Sequence, residues 1–180
     1  MQRDGWLPPG TRRTLLPMRR YTSRTLPAYS FVPGETPHPT RDPRGHSFGA
    51  PAASLAEWRP EDWRELEEWL WAVDLFNAGY WWESHEALEA LWHAAGRTTA
   101  PARFVQALVH LSAACLNRRR GHPEAAKRQA ARAVHGLRGA AAECAILMGI
   151  DLERLVEDVE RSFSADDARP IRIELDSGDA

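Results

Sequence analysis

Cysteine is almost missing from this chain: Cys115 and Cys144 are the two in 180 residues, both in alanine-rich stretches and neither at metal-ligand spacing. A disulfide framework and a cysteine-based zinc module are therefore excluded, and both thiols read as small apolar side chains in a reducing compartment. Charge imbalance is missing too. The 23 basic and 25 acidic side chains leave a formal net charge of −2, which argues against a general nucleic-acid binder, whose affinity rests on a positive excess. No apolar run approaches the ~18 residues of a membrane span, and no signal peptide is recognisable at the start, so none is expected. The expected setting is the cytoplasm, with no membrane and no nucleic acid as partner.

Proline is scarce where helical periodicity is strong. Nine of the 13 prolines precede Leu55, which divides the chain into a basic tail over 1–25 expected to be disordered, a proline-rich arm over 26–57, a helical domain over 58–164 and a polar tail over 165–180. The arm carries Tyr29, Phe31, Val32 and Phe48 between its turn residues, so it is expected to lie extended across the helices, held by those anchors. Ile171, Ile173 and Leu175 in the last segment alternate like a short edge strand.

An all-α fold of about five helices follows from period and punctuation. Pro60, Pro101 and Pro123 suit first helical positions, while Gly79, Gly96, Gly121 and Gly149 end apolar-periodic stretches. The first helix is read from Pro60 to Gly79 without a break, the fourth is read past Gly136 and Gly139 toward Met148, and Asp151 caps the last. Gly79, Trp81, Ser84, Leu88 and Leu91 recur as Gly121, Pro123, Ala126, Ala130 and Ala133, 42 residues on. This is antiparallel helical-hairpin geometry. It resembles tetratricopeptide packing, although that repeat is about 34 residues long.

One helix is unusually polar. In WWESHEALEALWH, Glu83, Glu86 and Glu89 recur every three residues, and His85 and Glu89 stand four apart on one face. A histidine and a carboxylate so placed can clamp a metal ion or work as an acid/base pair; the plainer alternative is a hydrogen-bonded core histidine beside surface glutamates. The second histidine of H-E-x-x-H is missing, so this is no zinc-peptidase motif. In the arm, His38, Asp42 and His46 are also spaced by four. Turns at Pro43 and Gly45 would bring His46 back toward His38, over the Glu83–Glu89 face, as further candidate metal ligands. Local turn capping is the competing reading. No glycine-framed nucleophile elbow surrounds Ser47. Arg118, Arg119, Arg120, Lys127, Arg128 and Arg132 form a basic edge, read as a solvated helix face because no aromatics interleave with them.

The segments LFNAGYWWESHEALEALWHAA and ARFVQALVHLSAACLNRRRGHPEAA, from about Leu66 to Leu155, resemble the bacterial and archaeal family called domain of unknown function 309. Its glycine turn, Glu-x-His-Glu, further Glu and Trp fall on Gly79, Glu83, His85, Glu86, Glu89 and Trp92, and its next helix on Phe104, Gln106 and Leu108. The resemblance implies a small all-α fold without an established activity. His110 stands where such helices commonly have glutamine, adding an ionisable group.

The functional expectation is a small helical binding or scaffold protein for a compact ligand or a partner protein, with Glu83, His85, Glu86, Glu89, Trp92, Gln106 and His110 as ligand-binding residues. Seven of the eight tryptophans lie between Trp58 and Trp92, more than a core of this size needs, which points to an interface or pocket. The alternative is a metal-dependent enzyme, a hydrolase for instance, with a divalent ion held among His38, Asp42, His46, His85, Glu86 and Glu89 and the arm as a lid. No complete catalytic motif is present, and the oligomeric state is open.

Overall fold

A computed structural model describes residues 19–51, 55, 57–96, 98–164 and 169–176. Most of the stretch read as a basic tail, residues 1–18, lies outside the described residues. The architecture is all-α: α1 (Glu67–Asn77), α2 (Trp81–Ala94), α3 (Ala100–Arg119), α4 (Pro123–Ala141) and α5 (Leu152–Ser164). The one sheet among the described residues is a tiny hairpin between α4 and α5, β1 (Ile146–Leu147) and β2 (Ile150–Asp151), paired antiparallel. Each helix packs on the next in chain order.

The glycines make the hairpins. Gly79 and Gly121 have φ of +82° and +74°, a left-handed conformation that costs a glycine little. At both turns an amide reaches back five residues to an orphan carbonyl, Tyr80 N to Leu75 O and His122 N to Asn117 O, each 2.9 Å. Asp151 accepts from the Arg154 amide at 3.0 Å, the expected cap of α5.

The first helix differs from its sequence reading. Pro60–Asp62 form a single 3-10 turn, Leu66 leaves helical backbone at φ −81° and ψ 86°, and α1 starts only at Glu67. The break lets Trp63 lie on Gly149, where a Cβ would overlap the indole, while Trp69 enters the core. Helix α4 likewise ends at Ala141, short of Met148. Its Ala126, Ala130, Ala133 and Leu137 face α3, whose Phe104, Val105, Leu108 and Leu111 are buried.

Helix α1 is buried on every side from Trp69 to Phe76 except at half-buried Leu70. Such a helix needs cover beyond its neighbour α2, and the two chain ends supply it. Asn77 exchanges two 2.8 Å hydrogen bonds with the backbone of Ile173, and Leu175 N donates to the Tyr21 hydroxyl. Ile171, Ile173 and Leu175 do bury alternately, but as an extended segment against α1 with no ladder partner among the described residues.

Candidate functional site

Helix α2 turns its polar residues in three directions. Glu83, only 7% exposed, points to the arm: its Oε1 accepts from the Phe31 amide at 2.8 Å and from His46 Nε2 at 3.1 Å, and its Oε2 has no hydrogen-bond partner among the described residues. Ser84, fully buried, donates to the Ala72 carbonyl of α1 at 3.0 Å. His85 turns toward α3, where its Nδ1–H donates to the Val109 carbonyl at 3.2 Å. That bond fixes the tautomer and leaves Nε2 as an acceptor.

His85, Glu86 and Glu89 come together. One ligand atom from each lies within 4.8 Å of the others, and no other such set of three occurs among the described residues. Desolvation raises the Glu86 carboxyl above its ordinary value; His85, His38 and Arg41 pull it down and Glu89 pushes it further up. Two carboxylates beside one imidazole are a donor set suited to a divalent cation.

The arm crosses this helix. Phe31 and Val32 are buried, and the Phe31, His38 and Trp82 rings form an aromatic triangle with centroids 5.0–5.5 Å apart. The chain then folds back at Gly45, where a Cβ would overlap the carbonyl oxygens of His38 and Pro39. The predicted arm ligands do not converge on the α2 cluster. Asp42 is engaged by Arg44 through a bidentate pair at 2.9 and 3.1 Å, which holds its carboxyl down at about 2. His46 binds Glu83 through Nε2, with Ser47 Oγ 2.8 Å from Nδ1. His38 accepts from the Thr40 amide at 3.3 Å.

Gln106 and His110 stand on another wall. They line a groove of about 700 Å³ between α3 and α4, together with Arg132, His135 and Gly139. His110 Nδ1 is 2.9 Å from Gln129 Oε1, and burial lowers its pKa, helped by Arg132 and His85 and opposed by the Gln129 bond. Trp92 stacks at 5.2 Å on the ring of His93. None of the seven tryptophans from Trp58 to Trp92 is exposed; Trp58, for example, donates to the Leu91 carbonyl. The basic edge is partly structural, since Arg118 bonds Ser162 and lies over the Phe163 ring, and Arg119 pairs with Glu35.

Asp74 escaped the sequence reading. It is fully buried in α1 and grips the segment before the arm: the Tyr21 and Thr22 amides donate at 2.8 and 2.9 Å, the Thr22 hydroxyl at 2.7 Å, and Arg20 Nε lies 3.0 Å away. Its signal was there, a lone charge in the apolar run WAVDLF.

The model of one protein family, described as "Domain of unknown function (DUF309)", matches residues 69–129. That stretch runs from α1 into α4 and contains the whole α2 cluster. Over residues 69–129 the chain is similar to the DUF309 family. Comparisons with curated proteins and with solved structures returned no match. The DUF309 segment therefore includes Asp74, Glu83, His85, Glu86, Glu89 and His110, while the arm that covers Glu83 lies outside it. No helix among the described residues is long and apolar enough to cross a membrane.

Proposed function

We propose that this chain is a small helical ligand-binding protein whose α2 face takes a divalent cation through His85, Glu86 and Glu89. The observation that carries this reading is the convergence of one donor atom from each within 4.8 Å. The Val109 carbonyl on His85 Nδ1 supports it, because metal-binding imidazoles are held by such a bond on the far nitrogen. A shared cation would also relieve the repulsion that Glu89 places on Glu86. The donor set suits Zn2+ or Mn2+. His38 and the arm serve as cover, with the Glu83–His46 bond as the fastening.

Purified protein dialysed against Zn2+ or Mn2+ and assayed by elemental analysis should retain about one equivalent, and His85→Ala and Glu89→Gln should each weaken retention at least tenfold. Folded wild-type protein that retains no metal, or variants that retain as much as wild type, would overturn the reading.

A metal-dependent hydrolase is the second reading, favoured by the count of protein donors. Three donors leave coordination positions for water and substrate. Zinc-loaded protein that hydrolyses activated esters or phosphoesters, with the rate lost in Glu89→Gln, would support it; no turnover above that of free Zn2+ would exclude it for these substrates.

A further inference from the structure

The groove between α3 and α4 is a separate feature with its own polarity. Ala107 meets Gly136, and His110 meets Gln129, so the two helices run antiparallel and opposite ends of the groove can be named from the pairing. At one end stand His110 and Arg132, with His135 nearer the middle; at the other, mostly apolar end stand Pro101, Ala140, Cys144 and Leu147, with Arg103 and Glu143 beside them. Phe104 and Ala107 form the middle of the wall.

The charges are arranged to match. Arg132 is exposed and makes no ion pair among the described residues, whereas Arg103, farther along, already donates to the Thr98 carbonyl at 2.8 Å. Glu143 lies at the apolar end, where it would repel an anion and so direct a negative head to the Arg132 end.

The two helical glycines of α4 separate packing from space. Gly136 is demanded by packing, since a Cβ there would sit 2.7 Å from Ala107 Cβ. Gly139 is not: a Cβ there meets nothing within 4 Å. Glycine in a helix is a loss of stability against alanine, and at Gly139 what it keeps open is the groove.

We propose that this groove is a second site, which takes a single-chain anionic amphiphile with its carboxylate or phosphate head on Arg132 and His135 and its alkyl chain along Gly139, Ala140 and Leu147. A volume of about 700 Å³ lies within the range of small-molecule sites, and an arginine is suited to either head group.

The test is calorimetric titration of the full chain, in chelator, with dodecanoate, dodecyl phosphate, dodecanol and acetate. Either anionic amphiphile should saturate one site, with the tighter of the two identifying the head group. Dodecanol should bind at least tenfold more weakly and acetate not measurably. Arg132→Gln should weaken the anions at least tenfold and leave dodecanol unchanged. Gly139→Leu, which fills the open space, should abolish binding of all the alkyl ligands while the circular dichroism stays helical. Glu89→Gln should change nothing, which separates this site from the α2 cluster. Alkylation by iodoacetamide gives a second readout: Cys144 lines the groove, whereas burial pushes the Cys115 thiol up to about 12, so saturating dodecanoate should protect the one reactive cysteine. Equal affinity for dodecanol and dodecanoate, no saturable binding, or unchanged binding in Gly139→Leu would overturn the proposal.

Discussion

Asp74 shows how much one side chain can hold. It is a carboxylate with no solvent access, made tolerable by three donors and a guanidinium from residues 20–22. Asp74→Ala should lower stability by about 3 kcal/mol in urea denaturation, because it strands two amides and a hydroxyl and removes the partner of Arg20. The glycine pair of α4 should respond with opposite signs. Gly139→Ala should stabilise by about 0.5–1 kcal/mol, and Gly136→Ala should destabilise by about 1–3 kcal/mol as the new methyl is forced against Ala107; thermal unfolding of the two variants reads the difference directly. His110 predicts a pH dependence. Burial lowers its pKa from 6.5, so the unfolded chain takes the proton first as pH falls. The stability it contributes is present above pH 6.5 and is lost as pH drops through the lower folded value. The melting temperature of wild type should therefore fall over that window, and His110→Gln should flatten the profile. An unchanged slope in the variant would show that His110 stays neutral in neither state more than the other.

At the scale of elements, the arm and the terminal segments act as the outer layer that α1 lacks. Within the stretch read as a basic tail, Arg20, Tyr21 and Thr22 are tied to Asp74, and within the polar C-terminal stretch Ile171, Ile173 and Leu175 are buried. Deleting residues 1–25 should then cost about as much as Asp74→Ala, roughly 3 kcal/mol, since either change breaks the same interaction. Combining the two should cost far less than their sum, because a shared interaction cannot be lost twice. Full additivity would mean that the tail and Asp74 stabilise the fold independently. The arm proper works the same way on α2: Phe31 and His46 both bond Oε1 of Glu83, so the partners of this buried carboxylate in the DUF309 segment lie beyond that segment.

Across the whole molecule, the two candidate sites lie against the same helix, α3, without sharing residues. His85 leans on the Val109 carbonyl, and His110, the next residue of α3, stands on the wall of the groove. The α2 cluster is polar and close to the arm, while the groove is largely apolar and bounded by α4. The first is proposed to take a cation and the second an anion with an apolar body. Occupancy of each can be measured without the other, by metal content and by alkylation of Cys144.

What the residues determined by themselves was local. Helical period, the proline starts and the glycine stops at Gly79 and Gly121 require contacts only between neighbours along the chain, so five helices and their turns were legible. The same holds for the cluster: positions 85, 86 and 89 share a helix face by spacing alone, whatever packs against it. The tertiary structure decided everything that joins distant segments. It sent Glu83 to His46 of the arm and left Glu86, one turn on, beside His85. It moved Gln106 and His110 onto a different wall from the glutamates, broke the first helix at Leu66 and hid Asp74 beneath residues 20–22. The Tyr21–Asp74, Phe31–Glu83 and Asn77–Ile173 bonds span 53, 52 and 96 residues. Pairings of that length leave no periodic trace in a sequence, because they depend on which faces the packed helices leave uncovered and on which part of the chain can reach them.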